Sequence, residues 1–184
     1  YHKGRLYGAR LNGVGNYGFT PINSPEYWPL LFRQDLSYYD PSEILGFDSV
    51  YAGLLIYKVG SIMILERDPE FSGSPRTLVQ GRGLMIDDAH ISYDGIAMIL
   101  TQEGLIAHDG ARLEQIWQRT HGISDAMKLS SASRGLIAKD SSFLFFNDQA
   151  DSTKIKALGY NGIGRYFFTD KYSVTTAPST VSDN

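Results

Sequence analysis

The feature that most constrains the fold of this chain is a short pattern that recurs along it. Each copy consists of a glycine, a brief apolar run, a turn of small or polar residues and a second apolar run, which is typical of a β-hairpin. Three clear copies occupy residues 53–65, 95–107 and 135–146, and a weaker one begins at Gly4 with its turn near Gly13. The copies start roughly 40 to 50 residues apart, so the chain is built from a repeated unit.

A hairpin unit that recurs at this distance has the length of one four-stranded β-propeller blade. A chain of 184 residues holds about four such units, and closed propellers usually have four to eight blades. The sequence therefore predicts an all-β, antiparallel β-propeller-like fold that is either very small or completed by sequence outside this chain. A plain antiparallel sandwich, which also spaces its strands evenly, is the alternative. Further strands are predicted at 88–94, 154–158, 165–169 and 171–176.

One or two short helices are expected among the strands. Residues 112–119 place Leu113, Ile116 and Trp117 on one face at helical spacing, and a second short helix is predicted at 125–129. We expect residues 1–176 to form a single domain and the small, polar residues 177–184 to form a flexible tail. The chain begins with Tyr rather than Met, so it is expected to be processed or to be a segment of a longer chain.

Two stretches rich in Pro and Gly are predicted to lack regular structure. Residues 68–83 contain two prolines and three glycines and are expected to form a long loop. Residues 20–41 contain four prolines and several aromatic residues, and are expected to form an irregular excursion from the sheets. We call residues 20–41 the excursion.

Composition excludes several classes of protein. With 42% apolar and 20% charged residues, the chain is too apolar and too weakly charged to be disordered. Its lack of cysteine excludes disulfides, thiolate metal sites and cysteine nucleophiles. A net charge of -3 argues against a surface built to grip nucleic acid, and no apolar run is long enough to predict a membrane helix.

The residues that could carry chemistry do not form a recognisable catalytic or cofactor-binding pattern. Gly13, Gly15 and Gly18 match the dinucleotide fingerprint in spacing, but the prolines that follow cannot open the helix it requires. The histidines have no metal-ligand spacing, and no nucleophile elbow is present. The chain is therefore predicted not to be an enzyme and to bind no cofactor or metal. The histidines are His2, His90, His108 and His121.

Acidic and basic residues leave two further interpretations open. Asp48, Asp87 and Asp88 could supply paired carboxylates for a glycoside hydrolase, although neighbouring acids at strand starts are ordinarily solvated turn residues. Four arginines could contact a phosphate backbone or an acidic partner, although a solvated rim is the simpler interpretation. These arginines are Arg33, Arg67, Arg76 and Arg82.

Two segments near the start of the chain resemble a recurrent pair in the tail hub or nozzle proteins of short-tailed bacteriophages. The first is the strand-like stretch 4–10, of Arg-Leu-aromatic-Gly-Ala type, and the second is the turn 23–29, where Tyr27 and Trp28 follow a Ser-Pro pair. The hairpin at 54–65, the loop at 81–83 and the hairpin at 100–110 follow in the family's order. The resemblance spans residues 4 to about 146, and the turn with Tyr27 and Trp28 is its most distinctive part.

The resemblance implies a structural virion protein that is made in the host cytoplasm and assembled into the phage tail. Members of that family form a ring, usually hexameric, below the portal, where they help to close the head and pass DNA on ejection. The implied partners are copies of the chain itself, portal or adaptor proteins and fibre proteins, while DNA passes without sequence-specific binding and no membrane is involved. Family members are much longer than this chain, and their platform and channel region has no counterpart in it.

Four aromatic residues of the excursion are the candidate interface anchors: Tyr27, Trp28, Tyr38 and Tyr39. Buried aromatic side chains supply much of the binding energy at protein contacts, although ordinary packing in the domain core would account for these residues equally well. The alternative function is a carbohydrate-binding or glycan-cleaving propeller. In that case Trp28 or Trp117 would stack on a sugar near a pair of carboxylates.

Overall fold

The structure, a computed structural model, describes residues 1–11, 13–84, 89–101 and 104–118, together with five strands beyond residue 126. These residues form sixteen β-strands and one 3₁₀ turn, Pro69–Phe71. The strands are β1 (Tyr7–Ala9), β2 (Asn16–Phe19), β3 (Arg33–Asp35), β4 (Ile44–Val50), β5 (Gly53–Lys58), β6 (Ser61–Leu65), β7 (Arg76–Gln80), β8 (His90–Tyr93), β9 (Ile96–Thr101), β10 (Gly104–His108), β11 (Leu113–Gln118), β12 (Met127–Lys128), β13 (Arg134–Ala138), β14 (Ser141–Asp148), β15 (Lys154–Tyr160) and β16 (Thr169–Ser173).

The strands form four antiparallel sheets that follow one another along the chain. The first sheet is β1-β2-β3, the second is β4-β5-β6-β7, and the third is β8-β9-β10-β11. In the fourth sheet, β12 and β13 both pair with β14, which is followed by β15 and β16. Since β12 and β13 pair with different stretches of β14, this sheet is also four strands across.

The repeat seen in the sequence corresponds to the hairpins of these sheets. The copies at 53–65, 95–107 and 135–146 form β5–β6, β9–β10 and β13–β14, and the weaker copy forms β1–β2. The all-β, propeller-like prediction is therefore confirmed. Of the further predicted strands, β8, β15 and β16 are present, while residues 165–168 and the tail 177–184 lie outside the described residues.

The two predicted helices are wrong, because their residues form strands. Residues 113–118 form β11, which pairs with β10 and places an extra residue, Ile116, opposite the step from Leu105 to Ile106. This bulge breaks the two-residue alternation of the strand, so its apolar residues fall at spacings that look helical in the sequence. In the second segment, Met127 and Lys128 form β12, and residues 125, 126 and 129 lie outside the described residues.

The stretch 68–83 is also not a continuous loop. After the 3₁₀ turn it forms β7, which pairs with β6 and completes the second sheet. Prolines and glycines flank this strand and lie outside its five residues, so the composition of the whole window concealed it.

The second sheet is buried on both faces, and this accounts for the uninterrupted apolar runs of β5 and β6. Successive side chains of a strand point to opposite faces. Leu54 and Ile56 of β5 pack with residues of the first sheet, whereas Leu55 and Tyr57 pack with residues of the third. In β6, Met63 and Leu65 join the first group, and Ile62 and Ile64 join the second.

Neighbouring sheets also meet along the strands with which they begin. β1 contacts β4, β4 contacts β8 and β9, and β8 contacts β13 and β14. The sheets are thus packed face to face with their first strands side by side, which is the arrangement of propeller blades.

A buried arginine joins the first sheet to the second. The Arg5 guanidinium is 1% exposed, donates to Asp68 and Glu70 beside the 3₁₀ turn, and donates to the Thr20 carbonyl at 2.7 Å. It also lies over the ring of Phe19, 5.5 Å from the centroid. Burying a guanidinium is favourable only where such partners satisfy it, so the cluster fixes the two segments relative to each other.

Replacing this arginine should destabilise the fold far more than replacing an exposed one. We expect Arg5→Met to lower the free energy of unfolding by about 2–3 kcal/mol, since the carboxylates it leaves are still partly solvated. The matched control is Arg76→Met, because Arg76 pairs with Glu66 at the surface and its loss should have little measurable effect. Chemical denaturation of the three proteins at neutral pH measures the difference. Equal losses in both variants would show that the Arg5 cluster does not link the sheets.

A buried histidine holds the N-terminal residues against β4. Nδ1 of His2 lies 2.7 Å from Oγ of Ser49, and the side chain is largely inaccessible. Burial, with smaller contributions from the nearby Lys3 and N-terminal ammonium charges, lowers the pKa of His2 to about 4. His2 is therefore neutral in the folded protein at neutral pH.

This shift makes the stability of the fold depend on pH. Between about pH 6.5 and 4 the unfolded chain protonates His2 while the folded chain does not, so the free energy of unfolding should fall as the pH is lowered through this range. We expect His2→Asn, which cannot take up the proton, to show a smaller decrease than the wild type in urea denaturation across the range. Ser49→Ala, which leaves His2 buried, should keep the wild-type slope. Parallel profiles for the wild type and His2→Asn would contradict the assignment.

Candidate functional site

The excursion leads from the end of β2 through β3 toward β4, and it carries just over half of the large exposed apolar side chains among the residues whose burial is described. Prolines remove backbone donors and fix the chain direction, so it forms successive turns interrupted only by the short β3. Phe32 turns inward and its ring stacks on that of Phe19, with centroids 4.9 Å apart. Leu30 and Leu31, just before it, remain exposed, and Leu31 is 92% exposed.

The structure separates the four predicted anchors by their exposure. Tyr27, Tyr38 and Tyr39 are all more than half exposed, so they are not core residues. Trp28 is the least exposed of the four, at 37%, and atoms of its six-membered ring lie within 3.4 Å of the position that a Cβ on Gly8 would occupy. The tryptophan thus packs on β1 where the strand has no side chain. Tyr38 and Tyr39 contact each other edge to face, with centroids 5.6 Å apart.

The last part of the excursion is held by a buried lysine of the second sheet. Lys58, at the end of β5, donates from Nζ to the carbonyl oxygen of Asp40 and, at 3.5 Å, to that of Leu36. The backbone amides of Tyr39 and Asp40 both donate to the same Leu36 carbonyl. Residues 36–40 therefore curl around the ammonium group, and we call them the crossover.

The lysine and the crossover are coupled electrostatically. Burial lowers the pKa of Lys58 from its ordinary value, and the carboxylates of Asp40 and Asp35 oppose that effect. Burial also pushes the pKa of Asp40 upward, but hydrogen bonds from Ser42 and Ser61, with the Lys58 charge nearby, outweigh it and lower this pKa. Asp40 is accordingly an ionised carboxylate with an ammonium behind it.

A groove of about 280 Å³ lies between the crossover, the β5–β6 turn and the end of β7. Its lining offers one aromatic ring, one carboxylate, one amide and one hydroxyl. The carboxylate of Asp40 accepts from Oγ of Ser61 at 2.6 Å and from the backbone amide of Ser42 at 2.8 Å. Ser61 and Gln80 are paired across β6 and β7, so they lie side by side at the rim. The lining residues are Tyr39, Asp40, Pro41, Gly60, Ser61, Gln80 and Gly81.

The sequence did not single out these polar residues. Asp40, Ser61 and Gln80 form no motif, because they are far apart in the sequence. They come together only in the fold, where Asp40 lies in the crossover, Ser61 begins β6 and Gln80 ends β7. The signal in the sequence was Lys58. This charged residue ends the apolar run of β5, and it lies on the same face of the strand as Leu54 and Ile56. A lysine on a face that is otherwise buried must find acceptors nearby, and those acceptors are the crossover carbonyls.

Asp48, the carboxylate considered for hydrolysis, belongs to a network between the second and third sheets. Its Oδ2 lies 2.9 Å both from the Tyr57 hydroxyl, which donates to it, and from Nδ1 of His90. Nε2 of His90 lies where a Cβ on Gly46 would be, so the ring is wedged against β4. This network joins strands through groups that are nearly all buried. Asp87 and Asp88 lie outside the described residues.

The other arginines and histidines that the sequence singled out do not form a common site. Some are at the surface, one is buried, and one lies outside the described residues. Arg76 pairs with Glu66, and neither Arg33 nor Arg67 is buried. His108 is buried and accepts from the Gly110 amide, and His121 is outside the described residues, as is the side chain of Trp117. In the part of the chain that the structure describes, no three potential metal ligands are gathered together. The same part contains no helix long and apolar enough to cross a membrane.

Comparison with solved structures identifies the fold. The chain is similar to the N-terminal domain of Nup159, with a TM-score of 0.56 and 11% identity over 94% of its length. It is also similar to a chain in the S. cerevisiae complex of Dbp5 bound to Nup159 with Gle1, IP6 and ADP, with a TM-score of 0.57 and 11% identity. The chain covers 42% of each of these two. At this identity the likeness shows the fold alone, which is that of a β-propeller. No protein-family model and no curated protein matches the sequence.

The role of Lys58 in holding the crossover can be measured directly. We expect Lys58→Met to lower the free energy of unfolding by about 1–3 kcal/mol, because a methionine fills similar space but takes the ammonium donor away from the crossover carbonyls, of which that of Leu36 keeps its two backbone amides and that of Asp40 loses Lys58. Lys3→Met removes an exposed lysine and should leave stability unchanged. Denaturation at neutral pH provides the measurement. A Lys58→Met variant as stable as the wild type would show that other groups satisfy these carbonyls.

Proposed function

We propose that this chain is a structural component of a bacteriophage tail, of the nozzle or hub type, and that it works through protein contacts made by the excursion. The observation that carries the proposal is the concentration of exposed apolar side chains there. Of the thirteen large apolar side chains found exposed among the residues whose burial is described, which end at residue 113, seven lie in the excursion. Single exposed apolar residues are normal, whereas a concentration of them indicates a contact surface.

The position of this surface supports the proposal. The most exposed members, Leu31 and Tyr38, are held by segments that are themselves fixed, through the inward ring of Phe32 and through the crossover on Lys58. A surface that is ordered before binding loses less conformational entropy when a partner covers it. The stretches that resemble the phage family, 4–10 and 23–29, form β1 and the turn with Trp28, which are packed together.

In this role the chain forms a ring with copies of itself, contacts portal or adaptor and fibre proteins, and lets DNA pass without sequence-specific binding. The net charge of -3 agrees with such a conduit, because a strongly basic lining would retain DNA rather than let it slide. The family resemblance supplies the hexameric ring and the partners, and the excursion supplies the surface through which we propose that they are contacted.

The proposal is tested by locating the chain in an assembled particle. With a small tag fused to the chain, electron microscopy should show a ring of identical copies attached to the capsid at the tail. A chain that never accompanies particles, or that occurs on them as scattered single copies, would contradict the proposal.

The contribution of the excursion is tested in solution with a double variant. Leu31→Ser with Tyr38→Ser removes two strongly exposed side chains and should weaken self-association by about thirty- to a thousandfold in sedimentation velocity, since each anchor contributes on the order of 1–2 kcal/mol. The control is Tyr1→Ser, which removes an exposed aromatic residue outside the excursion and should associate as the wild type does. Equal behaviour of the double variant and the wild type would place the contact elsewhere.

A further inference from the structure

The groove beside the crossover is a second surface with its own chemistry, and it does not depend on the assembly role. Its volume of about 280 Å³ is at the lower limit of pockets that hold drug-sized ligands, roughly 300–1,000 Å³, so it suits a single small ring. The groove is not apolar, because its lining combines Tyr39 with Asp40, Ser61 and Gln80.

The polar groups of the groove have hydrogen-bonding capacity left for a ligand. A carboxylate has about four lone-pair sites, and the Asp40 carboxylate uses three of them, for the Ser61 hydroxyl and for the hydroxyl and backbone amide of Ser42, so one remains. Since Ser61 donates its proton to Asp40, its oxygen can accept one from a ligand. The exposed Gln80 amide can both donate and accept. Acceptors and donors set side by side match adjacent hydroxyl groups, each of which also donates and accepts.

The charges at the groove favour a neutral ligand. Asp40 is the one charged residue in the lining, and the buried Lys58 ammonium lies directly behind it, bonded to its backbone carbonyl. The Asp40 carboxylate repels an anion, and the nearby ammonium reduces the attraction that this carboxylate has for a cation. The half-exposed ring of Tyr39 adds an apolar face beside these polar groups.

The geometry points to a binding site for one pyranose ring of a neutral saccharide. The carbon–hydrogen face of the sugar packs on Tyr39, while two of its hydroxyls bind Asp40, Ser61 and Gln80. Glycoside hydrolysis ordinarily requires two carboxyl groups, and the lining residues supply one, so the site binds the sugar without cleaving it. The ring that stacks on the sugar is Tyr39 rather than either tryptophan considered from the sequence.

The test uses methyl glycosides of glucose, galactose, mannose and N-acetylglucosamine as probes of the full chain. Protein NMR at millimolar probe concentration should show shifts of the amide signals of Tyr39, Ser61 and Gly81 for at least one glycoside. Tyr39→Ala should weaken that binding by about tenfold, and Gln80→Ala should weaken it several-fold. The control is Tyr1→Ala, which removes an exposed tyrosine that neither lines the groove nor contacts Tyr39, and it should bind as the wild type does.

Three outcomes would overturn the inference. One is that no glycoside shifts the groove signals. Another is that Tyr1→Ala and Tyr39→Ala weaken binding equally, which would indicate an effect that is not specific to the groove. The third is binding that disappears with added salt, which a neutral saccharide held by stacking and hydrogen bonds should not show. This test can be separated from the assembly test, because Gln80→Ala should weaken sugar binding without changing self-association, whereas the Leu31 and Tyr38 double variant should weaken self-association without changing sugar binding.

Discussion

The burial of the second sheet on both faces is the constraint on which the rest of this structure depends. Its central strands, β5 and β6, place alternate side chains against the first and third sheets, so neither face can be solvated. Such a sheet needs a neighbour on each side, and the hairpin repeat supplies them from the flanking sequence. The face-to-face arrangement of blades follows from this requirement.

The position of the groove and of the neighbouring tyrosines depends on the residue at the end of β5, on the face that packs against the first sheet. Leu54, Ile56 and Lys58 lie on the same face of β5. Lys58 is the last of them, and its charge needs hydrogen-bond acceptors where the apolar contacts of that face end. The crossover provides its acceptors, and in doing so it fixes Tyr38 and Tyr39 outside the core and Asp40 at the rim of the groove. One buried ammonium group thus positions both the proposed protein contact and the proposed sugar site.

The sequence predicted the repeat, the hairpins and the all-β class, because alternation and turn residues are local signals. It failed where long-range pairing decided the outcome. The bulge at Ile116 gave β11 a helical spacing, and the prolines and glycines around β7 concealed that strand. The exposure of Tyr27, Tyr38 and Tyr39 could not be predicted either, since aromatic residues in an irregular segment pack inward as readily as outward, as Phe32 does. The groove could not be predicted, because its polar residues, which lie in the crossover, on β6 and on β7, are far apart in the sequence.

The central claim is that the Lys58 ammonium orders the crossover locally, and amide hydrogen exchange tests it most directly. In the wild type, the Tyr39 and Asp40 amides donate to the Leu36 carbonyl and should exchange slowly. In Lys58→Met the exchange of these amides should accelerate at least about tenfold more than that of the Leu55 and Tyr57 amides, which report the loss of global stability. If the crossover amides exchange equally in both proteins, or if the amides of β5 lose protection to the same extent, the claim is contradicted.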